Sequence, residues 1–165
     1  MARVFFALIL GFAILTQATV LQRVDLEVRP DLVVVLLLVW SAQRGFGEGL
    51  AFVFGAGLLL DVLAMDRFGT NGLALLPVVL LGGPARRRFF HSGLVFPIVL
   101  AIAATLAHGL MVPLVRSFAG GESGGVAVQP VILQALLNAL LVPPLYLVAS
   151  WTDRGPAYEA AGSRR

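Results

Sequence analysis

The chain has no cysteine, no lysine and few charged side chains of any kind. Without cysteine, it can form neither a disulfide nor a thiolate metal site. Charged residues make up only 13% of the 165 residues and hydrophobic residues 59%, and the mean hydropathy is +0.93. A soluble domain of this composition would have too few polar side chains to cover its surface. The composition therefore predicts an integral membrane protein.

The net charge of +3 comes from twelve arginines. A basic chain binds nucleic acid when its cations form one patch or stripe. Here the arginines lie between apolar runs, so we predict that they set the membrane topology and that the protein binds no nucleic acid.

Six apolar stretches follow one another, separated by charge, glycine or proline. A helix needs about 20 residues to cross a hydrocarbon core of roughly 30 Å. The first, third, fifth and sixth stretches reach that length, whereas the second and fourth are short and are expected to be tilted, partly re-entrant or extended into their flanks. We predict an all-α, polytopic transmembrane bundle of about six helices, with five crossings as the main alternative. Residues 1–152 form a single transmembrane domain and 153–165 a short cytoplasmic tail; the spans are about 4–22, 31–43, 46–65, 70–85, 89–115 and 129–151.

The first stretch also fits the pattern of a cleaved signal peptide loosely, because Arg3 precedes an apolar run that is followed by small residues. Apolar residues continue to Leu21 before Arg23. An uncleaved first helix is therefore the preferred interpretation.

The arginines are distributed unevenly between the two sides of such a bundle. With six spans and the amino terminus inside, the inner side receives most of them, as the positive-inside rule requires. This arrangement predicts that both termini are cytoplasmic. Its strongest element is the cluster Arg86, Arg87 and Arg88, which we interpret as a topology determinant; a site for an anionic lipid is the alternative.

A carboxylate in the third stretch is the first candidate functional residue. Asp61 ends the run GAGLLLD, and Asn71 follows in the glycine turn FGTNG. Ionisable residues inside a membrane are costly, so each one is a possible site. Asp61 is either a proton-linked or ligand-binding group, or a carboxylate that pairs with Arg67 or with backbone groups of the following turn and orders the helix end. For Asn71 we expect a role in the turn.

Three more polar side chains interrupt the long apolar runs: His108, Gln134 and Asn138. Gln134 and Asn138 lie four apart, so they share a helix face and can bond a neighbouring helix. We interpret these two as packing residues before ligand-binding residues. Histidine is the side chain that ordinarily changes its charge near neutral pH, so His108 is a possible proton site, but a lone histidine is more often a satisfied packing residue.

Small residues spaced four apart indicate faces at which helices approach closely. Two such pairs are Ala7 with Gly11 and Ala51 with Gly55, and we predict that they are helix-packing or partner-binding faces. The sequence contains no catalytic motif and no metal-ligand spacing. We therefore predict a protein without enzymatic activity, cofactor or metal.

Three motifs carry a family resemblance. RPDLVVVLLLVWSAQRG opens with a proline and an apolar run, and GEGLAFVFGAGLLLDVLAMDRFGTNGLAL is a glycine-rich segment that reaches G-L-x-x-D, a glycine turn and an asparagine. LLNALLVPPLYL contains an Asn-x-Leu-Leu-x-x-Pro pattern. Together with the chain length and helix count, they resemble the MreD family of bacterial rod shape-determining membrane proteins over essentially the whole chain.

The resemblance implies a fold like the six-helix substrate-binding components of energy-coupling-factor transporters, in the bacterial cytoplasmic (inner) membrane. It implies a non-enzymatic scaffold of the cell-elongation machinery (the elongasome), which binds MreC and supports side-wall peptidoglycan synthesis and rod shape. The further partners would be MreB, RodA and its penicillin-binding transpeptidase, besides the lipid bilayer. The alternative is a solute-binding component of an energy-coupling-factor-type transporter, in which Asp61, His108, Gln134 and Asn138 would line a site between helices.

Overall fold

Six helices account for all regular secondary structure among the described residues of the computed structural model, as the sequence predicted. The structure describes residues 1–19, 28–89, 93–118 and 128–153, without the side chains of Arg87 and of residues 149–153. The predicted end of the first span, at residues 20–22, and most of the predicted tail lie outside these ranges. The helices are α1 (Ala2–Thr19), α2 (Leu32–Arg44), α3 (Phe46–Ala64), α4 (Thr70–Phe89), α5 (Val95–Phe118) and α6 (Val128–Asp153).

Four of the six helices are long and apolar enough to cross a membrane, and they are the four that the sequence identified: α1, α3, α5 and α6. Helix α2 has only 13 residues, which corresponds to about 20 Å. It begins at an Asp31 cap directly after Pro30 and ends at Gly45, whose φ of 97° favours glycine. Helix α2 is therefore too short to cross a bilayer by itself.

Helix α4 is longer than predicted. It runs through the arginine cluster to Phe89 and contains Pro77 and Pro84, so the cluster lies in the last helical turn and not in a loop. Arginine has a high helix propensity, and cations are favourable near a helix carboxyl end. Phe89 is fully buried against the core at Val39 and Ala42, which gives the extra turn a packing anchor.

Helix α2 is the centre of the bundle. It contacts all five other helices, and its residues Val33 to Ala42 are buried apart from Leu36. A helix that is apolar on every side is expected to be enclosed in this way. Helices α3 and α4 approach closely where Gly57 meets the backbone of Gly72, with no room for a Cβ atom between them.

The two ends of the bundle differ in their polar residues. We call the end where α2 and α4 finish and α3 begins the Arg44 end. The opposite end, where α3 finishes and α4 and α6 begin, is the Asp61 end. The Arg44 end carries Arg3, Arg44 and the α4 arginines, whereas the described buried polar residues other than Ser41 lie toward the Asp61 end.

Candidate functional sites

The carboxylate of Asp61 organises the turn between α3 and α4. It is 0% exposed and accepts hydrogen bonds from the backbone N–H of Gly69 (2.6 Å) and Asn71 (2.9 Å) and from Nδ2 of Asn71 (2.8 Å). The donors belong to the start of α4, where backbone N–H groups have no partner within their helix. Asp61 thus caps α4 from the end of α3, and its negative charge is favourable beside a helix amino terminus.

A neighbouring ion pair ties the same turn to α5. Arg116 Nη2 lies 2.7 Å from Oδ2 of Asp66, and Asn71 Nδ2 lies 3.4 Å from the same oxygen. The Arg116 side chain is about half exposed. This pair extends the hydrogen-bonded turn to the surface, whereas Asp61 forms its buried part.

A second buried polar group surrounds the irregular start of α2, and the sequence did not single out its central residue, Asp31. Asp31 Oδ1 accepts from the backbone N–H of Val34 as an N-cap (3.1 Å). The backbone N–H of Asp31 donates to Oδ1 of Asn138 (2.8 Å), and Nε2 of Gln134 donates to the carbonyl oxygen of Arg29 (3.1 Å). Residues 134 and 138 of α6 thus satisfy the backbone of a non-helical segment.

Helix α5 completes this group, which we call the α2 node: Asp31, Thr105, His108 and Asn138. Asn138 Nδ2 donates to Thr105 Oγ1 (3.0 Å), and Thr105 Oγ1 donates to the carbonyl oxygen of Ala101 (2.8 Å). His108 Nδ1 lies 2.9 Å from the carbonyl oxygen of Ala74 in α4, and Nε2 lies 3.4 Å from Oδ2 of Asp31. The node therefore connects α2, α4, α5 and α6.

The α2 node lies deep in the bundle. The distance along α5 from His108 to its last residue, Phe118, is about 15 Å, and the distance along α6 from Val128 to Asn138 is similar. Irregular backbone is tolerated at such depth only when protein groups or water satisfy it. Of the predicted polar set, His108, Asn138 and Gln134 meet around residues 29–31, whereas Asp61 bonds the α3–α4 turn.

The predicted small-residue faces of α1 and α3 line one open cleft. Its volume is about 340 Å³, and its walls include all four predicted residues. A Cβ atom added at Gly11 or Gly55 would find no atom within 4 Å. The cleft is lined by Ala7, Leu10, Gly11, Ile14, Ala51, Phe52, Gly55, Ala56 and Leu59.

Two contacts hold α1 against the bundle at the Arg44 end of this cleft. The Phe6 ring stacks on Trp40 of α2 at 4.1 Å between centroids and meets Phe52 of α3 edge-on at 4.8 Å. Arg3 Nη2 lies 2.6 Å from Oε1 of Glu48. The cleft is therefore anchored at one end by an aromatic cluster and an ion pair.

The arginine cluster also lies at the Arg44 end. Arg86 reaches Gly45 at the junction of α2 and α3, and Arg88 is exposed. Arg44 lies over the Trp40 ring, with its guanidinium carbon 5.4 Å from the ring centroid, a geometry suited to a cation–π interaction.

Comparison with known proteins identifies the family. Searches of curated proteins and of solved structures gave no match, so the likeness to energy-coupling-factor components stays a prediction. A family model described as rod shape-determining protein MreD matches residues 1–150, which includes all six helices nearly to the end of α6. The chain therefore belongs to the MreD family of rod shape-determining proteins.

Proposed function

We propose that this protein is a non-enzymatic membrane scaffold that binds the transmembrane helix of MreC in the cleft between α1 and α3. The family match supports a role in rod-shape determination. The observation that supports this binding site is the open cleft, which both small-residue faces predicted from the sequence line together.

The chemistry of the cleft suits a helix more than a polar ligand. Inside a bilayer, helices associate through close packing, and small residues permit that packing because they let two backbones approach. Glycines elsewhere in the bundle are already used in this way: Cβ atoms at Gly57 or Gly109 would collide with neighbouring helices. Gly11 and Gly55 have no such neighbour, so their faces are available to a helix from another chain.

The larger assembly follows from family membership and forms part of the same proposal. The complex would include MreB, RodA and its penicillin-binding transpeptidase, and would support side-wall peptidoglycan synthesis in the bacterial cytoplasmic membrane. The arginines at the Arg44 end favour a cytoplasmic position for that end and for both termini.

The solute-binding alternative gains no support from the polar residues. A small-molecule site needs a pocket with a few convergent polar groups. The carboxylate of Asp61 bonds its own turn, and Asn138 bonds Asp31 and Thr105. These side chains satisfy one another and the backbone, which is a structural use of their hydrogen-bonding groups.

The test places larger side chains on the walls of the cleft, which fills it, and measures co-purification of MreC from native membranes. Gly11→Leu and Gly55→Leu each add four side-chain carbons to the cleft and are expected to abolish recovery of MreC. Val99→Phe adds the same number on α5, at a residue that is 58% exposed, and is the matched control. Equal recovery of MreC with all three variants would refute the binding site.

A cross-linking experiment checks the same contact without a large substitution. Since the chain has no cysteine, Ala7→Cys or Ala51→Cys introduces a unique thiol in the cleft, to be paired with cysteines placed along the MreC transmembrane helix. Cross-links with helical periodicity from these positions, and none from Val99→Cys, are expected. Cross-links from Val99→Cys alone would move the interface to α5.

A further inference from the structure

The imidazole of His108 lies between two oxygen atoms. Nδ1 is 2.9 Å from the carbonyl oxygen of Ala74, and Nε2 is 3.4 Å from Oδ2 of Asp31. A carbonyl oxygen only accepts hydrogen bonds, so Nδ1 must carry a proton. In a neutral imidazole, Nε2 would then present its lone pair to the Asp31 carboxylate, and two acceptors would face each other.

A further proton removes this conflict, and we infer that Asp31 and His108 form a proton-binding site that fastens the start of α2 to α5. The site binds one proton from water, as an imidazolium–carboxylate pair or as an imidazole beside a carboxylic acid. In either form, the proton is held by Nε2 or by Oδ2, and these two atoms lie 3.4 Å apart. The inference concerns the α2 node and is independent of the proposed MreC cleft.

The surroundings of the pair are polar but mostly uncharged in the described part of the chain. Helix α4 presents the Ala74 carbonyl oxygen, and α5 adds the hydroxyl of Thr105. Helix α6 presents the amides of Asn138 and Gln134, which bond the backbone of Asp31 and Arg29.

Among the described residues, the other charged groups near this end of the bundle are Arg29, Asp61, Asp66, Arg67 and Arg116, of which Arg67 is exposed. Arg29, just before the helix, is the cation nearest to Asp31 in sequence, and it has interactions of its own. Asp61 and the Asp66–Arg116 pair are bonded at the α3–α4 turn. A proton bound by His108 or Asp31 thus directly removes the repulsion between Nε2 and Oδ2.

Loss of the proton has a structural consequence. The buried carboxylate of Asp31 would face the lone pair of Nε2, and burial in low dielectric makes such a contact costly. His108 of α5 and Asp31 at the start of α2 would then repel each other. Asn138 would remain as the side chain that holds the Asp31 backbone. Raising the pH is therefore expected to loosen the segment before α2.

The first experiment detects the proton spectroscopically in the full-length protein in lipid nanodiscs. The chain has two histidines, so His91→Gln leaves His108 as the single signal in a nitrogen-15 histidine spectrum. At pH 6 we expect either a protonated Nε2, or a carboxylic acid infrared band that disappears in Asp31→Asn. Absence of both signals at pH 6 would overturn the inference.

The second experiment measures the coupling to α2. Val28→Cys provides a unique thiol just before Asp31, and its maleimide labelling is followed from pH 6 to pH 9. Asp31→Asn is the matched background: its amide oxygen still accepts from Val34 and its amide N–H replaces the shared proton, so the node stays closed at every pH. The ionisation of the thiol also changes the labelling rate with pH, and it does so in both backgrounds. Dividing one labelling rate by the other therefore cancels this effect.

The quantity compared is the labelling rate with Asp31 intact divided by the labelling rate in the Asp31→Asn background. We expect this ratio to rise with pH. If one proton is released when the segment opens, the rise is up to about tenfold per pH unit. A ratio that stays constant across this range would refute the link between proton binding and the start of α2. His108→Gln, whose amide donates to Asp31 at every pH, is a second pH-insensitive background if Asp31→Asn fails to fold.

Discussion

Replacement of Asp61 by alanine should be among the most destabilising single changes in this protein. The carboxylate is fully buried and accepts three hydrogen bonds, two of them from backbone N–H groups of Gly69 and Asn71. Gly69 and Asn71 are only part-buried, so water can reach their donors once the carboxylate is gone, and the cost is the net value of each hydrogen bond, about 0.5–1.5 kcal/mol. Three bonds therefore predict a loss of about 1.5–4.5 kcal/mol.

The measurement is equilibrium unfolding of the purified chain in mixed micelles, followed by tryptophan fluorescence and circular dichroism. Asp66→Ala is the matched control, since it removes a carboxylate from the same turn whose partner Arg116 is about half exposed. Such an exposed pair contributes about 0–1 kcal/mol. If Asp61→Ala cost no more than Asp66→Ala, the capping role assigned to Asp61 would be wrong.

Four further substitutions test the helix packing and the polar contacts. Gly57→Ala should lower the thermal midpoint in detergent because its Cβ would collide with the Gly72 backbone. Gly55→Ala should not lower the midpoint, because nothing lies within 4 Å of the added Cβ and alanine is the better helix former; equal midpoints for the two variants would contradict this. Asn138→Leu leaves the Asp31 N–H unpaired and should cost about 1–3 kcal/mol in the same unfolding assay; a neutral effect would show that the node is not stabilising. Arg3→Gln breaks an exposed ion pair with Glu48 and should change stability by no more than about 1 kcal/mol.

The sequence identified individual polar residues more successfully than their partners. Asp61, His108, Gln134 and Asn138 stand out because each interrupts an apolar run, and that signal needs no structure. Asp31 was missed, although an aspartate after Pro30 and before an apolar run is a recognised helix-start signal. Thr105 gave a weaker signal, since a threonine in a membrane helix commonly bonds its own backbone, as it does here to Ala101.

Glycine spacing shows a similar limit. Gly55 and Gly57 lie two residues apart on α3, and the sequence predicted a helix-packing or partner-binding face at Gly55 but did not single out Gly57. In the structure, Gly57 is pressed against Gly72, whereas Gly55 faces an open cleft. The difference depends on which helix lies beside each face, and a local sequence pattern contains no such information.

The sequence alone determined the membrane class, the helical fold and the four spans, because hydropathy and length are properties of each segment by itself. It also located the family motifs. Tertiary structure decided that the short α2 lies at the centre, that α6 amides satisfy its irregular start, and that His108 faces Asp31 across the bundle. These contacts join residues far apart in the chain, and a buried polar group takes its partner from whichever helix packs beside it.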